Sequence, residues 1–97
     1  MDKAKKFELM NKIVRELEDL QNSQTALIEK ITKIEADNMN LNDSYLEKTL
    51  GDMHSKIAEN LDTIAEIFTH FESQRDDYAK ANNLSVEEPE TETESTI

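Results

Sequence analysis

The sequence predicts an all-α chain: two long amphipathic helices folded as an antiparallel hairpin or coiled coil, completed by oligomerisation, with a disordered acidic C-terminal tail. Three observations carry that prediction. The 97 residues include one Gly, one Pro, three Phe, two Tyr and no Trp, which leaves few turn formers and few aromatic strand formers. Apolar residues recur at heptad spacing in two separate registers. From residue 84 onward the chain reads LSVEEPETETESTI, with five Glu, the only Pro and no basic residue. Such a segment has too little apolar surface to offset the entropy of ordering.

The first helix is expected over about residues 3–41. With Met10 as an a position, Leu17, Gln24, Ile31 and Asn38 follow at sevens, and Ile13, Leu20, Leu27, Ile34 and Leu41 form the d series. Val14 and Ile28 fall at e and widen the stripe beyond the narrow seam of a two-stranded coil, which points to packing among three or four helices. The run LQNSQTAL interrupts the stripe between Leu20 and Leu27. Of its polar residues, Gln24 alone falls on the a/d seam, where a polar layer costs stability but can fix register or partner. Asn38, Asn60 and Gln74 are further polar residues at seam positions.

The second helix is expected over about 44–82. Leu50, Ile57, Ile64, Phe71 and Tyr78 repeat at sevens, with Leu46, Met53, Asn60, Ile67 and Gln74 as the d series, and Leu61 and Phe68 widening the stripe. Carrying the first register forward puts a positions at 45 and 52, whereas the second has them at 43 and 50. An insertion of three or four residues does not produce that offset, so a break in the helix is expected, the alternative being one continuous helix with a distorted middle. The segment ADNMNLNDSYLE supplies the turn near 41–44, with Ser44 and Glu47 at capping-box spacing. Gly51 is the other candidate breakpoint. Asn82 and Asn83 can cap the far end.

The charge balance excludes several classes of partner. A formal net charge of -11 argues against nucleic acid as the main partner. Membrane contact is at most indirect, because Lys3, Lys5 and Lys6 beside Phe7 make a weak anchor in so acidic a chain. With no cysteine the chain has no disulfide or thiolate chemistry and suits a reducing compartment. The N-terminal MDKAKKFELM carries charges where a secretion signal needs an apolar run. A cytoplasmic location is expected.

No catalytic, cofactor-binding or metal-ligating constellation is expected, and the chain does not read as an enzyme. His70 follows Glu66 by four residues and could share a helix face with it, yet one His and one Glu are too few ligands for a metal. Glu35 with Asp37, and Asp76 with Asp77, read as solvated faces, and His54 as a rim histidine. The terminal Ser95-Thr96-Ile97 has the form that strand-adding peptide-binding domains accept.

The expected function is therefore helix docking. Its candidate residues are Met10, Ile13, Leu17, Leu20, Gln24, Leu27, Ile28, Ile31 and Ile34 on the first helix. Leu50, Met53, Ile57, Leu61, Ile64, Ile67, Phe68 and Phe71 are those on the second. Partners would be helical proteins, either further copies or sister subunits. Ordering costs about 1.5 kcal/mol per residue, so a lone two-helix hairpin has a net stability near zero and gains from association.

The order of LEDLQNSQTALIEKITKI (17–34), a short polar break and MHSKIAENLDTIAEIFTHFESQ (53–74) resembles the snapin and pallidin group of small coiled-coil subunits. That resemblance implies a subunit of an organelle-biogenesis or vesicle-trafficking complex, with Leu20, Gln24, Leu27, Ile31, Ile57, Leu61, Ile64 and Phe68 in the subunit seam. Small secreted helical hairpins of the Trp-x-Gly type are similar in length. This chain has neither the Trp-x-Gly nor an acid at residue 82. Such a hairpin or its chaperone, phage scaffolding proteins and kinetochore or microtubule-ring subunits remain alternatives.

Overall fold

The structure, a computed structural model, describes residues 1–85. Two helices, α1 (Lys3–Leu41) and α2 (Ser44–Ala81), account for nearly all of them. They pack against one another as an antiparallel hairpin. The longest dimension is 59 Å, the length expected of about 39 helical residues at about 1.5 Å each. Most of the tail expected over 84–97, including Ser95-Thr96-Ile97, lies outside the described residues.

Each helix starts on an aspartate. The Asp2 carboxylate accepts from the Lys5 backbone N–H at 2.8 Å, and the Asp43 carboxylate accepts from Leu46 N–H at 3.0 Å. Asp43, rather than the expected Ser44, is thus the cap of α2, and Ser44 is its first helical residue. Aspartate satisfies a free N–H of the first turn and puts its charge against the positive end of the helix dipole.

The turn is closed by asparagine chemistry. Asn42 takes the left-handed conformation (φ 61°) and its N–H bonds back to the Asn38 carbonyl, a conformation that asparagine tolerates better than most residues. The break falls within the expected 41–44 window, and α2 runs unbroken through Gly51. At its far end Asn83 is left-handed (φ 55°), and Leu84 N–H reaches Ala79 O at 2.9 Å while Asn83 N–H reaches Lys80 O at 3.4 Å. This is a Schellman ending, with Asn82 and Asn83 in the capping positions.

The helices meet along their a and e lines. On α1 the inward residues include Phe7, Val14 and Ile31, which are buried, and Met10, Leu17, Gln21, Gln24 and Ile28, which are half-buried. On α2 Leu50, Ile57 and Ile64 are buried, and Leu61, Phe68 and Phe71 half-buried. Ile31, Leu50 and Ile57 form the centre of the core, with Ile28 and Leu46 packed on it. Gln21, expected off the seam, faces into the hairpin beside Gln24, because the partner helix covers the e side of the stripe.

Candidate partner-binding face

The d series, expected on the seam, mostly faces outward. Leu20 is 44% exposed, Leu27 38%, Ile34 47% and Leu41 70%, and on α2 Met53 is 41% and Ile67 47% exposed. Ile13 and Leu46 are half-buried, and Asn60 and Gln74 are exposed. In an antiparallel pair equivalent heptad lines of the two helices flank the same side of the seam. Both d lines therefore share one face.

Three contacts between the helices set the register along that face. Glu35 Oε1 and His54 Nδ1 lie 3.0 Å apart, the Arg75 guanidinium reaches Asn11 at 2.9 Å, and the Lys6 ammonium stands 4.9 Å over the Tyr78 ring. These contacts bring Leu20 to about the level of Ile67, Ile34 to that of Met53 and Leu41 to that of Leu46. Apolar residues from both helices alternate down the face, with Asn60 and Gln74 as the polar interruptions on the α2 side. Of the candidate residues, Met10, Ile13, Leu17, Gln24, Ile28, Leu61, Phe68 and Phe71 are half-buried, and the rest divide into two sets. Ile31, Leu50, Ile57 and Ile64 are buried inside the hairpin, whereas Leu20, Leu27, Ile34, Met53 and Ile67 are open to a second molecule.

The polar seam residues also divide. Asn38 is buried and holds the turn: its side-chain amide donates to Asp43 O and its side-chain carbonyl accepts from Asp43 N–H, both at 3.0 Å. Its place on the seam is explained by the hairpin itself. Gln24 is half-buried between the apolar layers of Leu17 and Ile31, where a polar side chain still reaches solvent.

Two polar features were not foreseen from the sequence. Arg75 is only 2% exposed; its Nη1 donates to Asn11 Oδ1 at 2.9 Å, its Nε donates to Asp76 Oδ1 at 3.0 Å, and Glu72 stands 3.9 Å from Nη2. Arg75 continues the line Leu61, Phe68 at sevens, so the register does mark it, although its charge argues for the surface. Asn11 is buried one turn from Phe7 and Val14. His54, expected on the rim, is half-buried and joined to Glu35 across the helices.

Other sites are modest. A groove of about 360 Å³ beside the turn is lined by Thr32, Glu35, Ala36, Asn38, Met39, Asn42 and Glu47. Among the described residues no group of three or more His, Cys, Asp or Glu is placed to hold a metal ion, and no helix is long and apolar enough to cross a membrane. Glu66 and His70 are both exposed on α2. Comparison with protein-family models, with curated proteins and with solved structures finds no match to the chain.

Proposed function

We propose that the chain is a non-enzymatic helical assembly subunit that docks a helical partner on the open face of the hairpin. One observation carries the reading: from Ile13 onward α1 has an unbroken apolar line, Ile13, Leu20, Leu27, Ile34 and Leu41, that the packing of α2 leaves largely uncovered. Scattered exposed apolar residues are ordinary, but a line at heptad spacing joined by Met53 and Ile67 is contiguous along the molecule, as interaction surfaces are. Docking another helix there would turn two half-used stripes into a bundle of three or four helices. The wide stripe is suited to that number.

The acidic balance of the chain favours protein over nucleic acid as the docked molecule. A cysteine-free chain is compatible with a reducing cytoplasm, and the reading is set there. In the trafficking setting that the snapin and pallidin resemblance implies, the docked helices would belong to sister subunits.

The test is a photo-crosslinking amino acid at Leu27, on the face, compared with one at Glu29, on the outer side of α1. Protein adducts from position 27 that map to amphipathic helices, with few from position 29, are the expected result. Equal adducts from both positions, or none from 27, would overturn the reading.

A further inference from the structure

We propose that the open face is closed by a second copy of this chain, packed face to face about a two-fold axis that crosses α1 between Leu20 and Leu27. The α1 helices then lie antiparallel on each other and the two turns point to opposite ends. This rests on the docking reading above and names the occupant.

The apolar content of the face is the first argument. After Lys6, the remaining five d positions of α1, from Ile13 to Leu41, are all apolar, whereas the α2 line is broken by Asn60 and Gln74. Contact of α1 with α1 therefore gathers apolar pairs in one seam: Leu20 meets Leu27 of the second copy, Ile13 meets Ile34, and the symmetry repeats each pair, while the polar residues fall in the α2 seam, Asn60 opposite Ile67 and Gln74 opposite Met53. The alternative two-fold, parallel to the helices, sets each α1 line against the interrupted α2 line. Ile13 would then face Gln74 and Leu27 would face Asn60.

Charge is the second argument. The positions that flank the α1 line on its outer side are Leu9, Glu16, Ser23, Lys30 and Asp37. About an axis between Leu20 and Leu27, Glu16 comes opposite Lys30 of the second copy, and Lys30 opposite its Glu16. Ser23 comes opposite itself, and Leu9 opposite Asp37. No like-charge pair arises on this flank. In the alternative arrangement Lys30 is brought to the level of Lys56 of the second copy, which is repulsive. Exposed charge pairs contribute little affinity individually but do select between arrangements of equal area.

Size is the third. The apolar line from Ile13 to Leu41 runs about 42 Å at about 1.5 Å per residue, and a face about two helix spacings wide, at about 8–10 Å each, covers roughly 700–800 Å² per copy. A standard stable interface needs roughly 800 Å² per partner. The polar run LQNSQTAL is centred on the proposed axis, and its Ser23 meets its own symmetry mate there.

The full chain has no cysteine, so single-cysteine variants report one site each. Light scattering on the purified chain at micromolar concentration should give twice the 11.2 kDa chain mass. Spin labels in Ser23→Cys should couple at short range across the axis, while labels in Asn40→Cys, near the turns, should lie about 50 Å apart, from about 1.5 Å per residue along the helix. A short distance between the turn labels would overturn the proposed axis. Glu16→Lys and Lys30→Glu should each weaken the dimer severalfold and the double reversal should restore it; both positions are exposed, and circular dichroism verifies that each variant stays helical. A double reversal no tighter than the single variants would also overturn it. A helical monomer overturns docking of a second copy, and position 27 then separates the two readings. Adducts to another protein leave helix docking standing, and no adducts remove both.

Discussion

Asn38 and Asp43 hold the turn of the hairpin between them through two reciprocal hydrogen bonds, each 3.0 Å, from one side-chain amide to both backbone polar groups of one residue. The amide of Asn38 substitutes for the backbone ladder where α1 has stopped and α2 has not begun. Because Asn38 is buried, removing it strands polar groups away from water. Asn38→Ala should destabilise the hairpin by about 1–3 kcal/mol, read as a shift of the denaturation midpoint. Asn38→Asp keeps the acceptor for Asp43 N–H but sets a buried carboxylate oxygen against the Asp43 carbonyl, and should cost at least as much as Asn38→Ala. An unshifted Asn38→Ala midpoint would mean that water satisfies the turn equally well.

The Asn11 and Arg75 pair, near the open end of the hairpin, predicts a reversal of sign. Asn11→Leu leaves a buried guanidinium without one of its acceptors and should cost about 1.5–3 kcal/mol. Arg75→Met alone leaves the Asn11 amide buried with that bond unmade. The double variant replaces both partners with apolar groups of similar size and should recover most of the loss or exceed wild type. Denaturation of the four chains of this cycle measures the coupling. Additive losses would show that the pair is not a unit.

Ile31 and Ile34, three residues apart on α1, should separate folding from association. Ile31 lies in the core and Ile34 is 47% exposed on the face. Ile31→Ala should lower stability by about 2–4 kcal/mol through lost burial and a residual cavity. Ile34→Ala should leave the isolated hairpin within about 0.5 kcal/mol of wild type and reduce association instead. Equal effects of both on a dilute sample would mean that the face is already covered in the folding unit.

Most of the fold was legible because helix ends carry local chemistry. Heptad repetition fixed two helices, and the asparagines at 38, 40 and 42 with the broken register located the turn. The choice of Asp43 over Ser44 as the cap was not legible, since both residues cap well and stand side by side. Which flank of the a line would be covered was less legible still. Val14 and Ile28 on one side and Leu20, Leu27 and Ile34 on the other are equally apolar, and either can follow the same a positions into a seam. The structure puts the e side inside, and Arg75 shows how a long charged side chain can lie there when Asn11 and Asp76 meet its donors.

Gly51 lies within α2, and a methyl group built on it meets nothing within 4 Å. Its backbone has no positive φ, so nothing in the packing requires glycine. Gly51→Ala should raise stability by about 0.5–1 kcal/mol by restricting the unfolded chain and favouring the helix. A thermal melt of the two chains checks this, and a lower midpoint would show that the site needs the flexibility of glycine.

Gln24 is the remaining polar residue of the a line with no hairpin role comparable to that of Asn38. It is half-buried between the layers of Leu17 and Ile31, and it stands beside the proposed two-fold axis. A leucine there would continue the apolar line and bury more apolar surface, so Gln24→Leu should raise stability by about 1 kcal/mol at a half-buried site, read as a higher melting midpoint. If the polar layer specifies the partner, the same change should relax discrimination, because an apolar layer accepts many apolar neighbours whereas an amide accepts few. A competition pull-down between the wild-type chain and the Gln24→Leu chain, with the partner limiting, measures this directly. Higher stability with unchanged pairing would assign Gln24 to a seam partly open to water and remove it from partner choice.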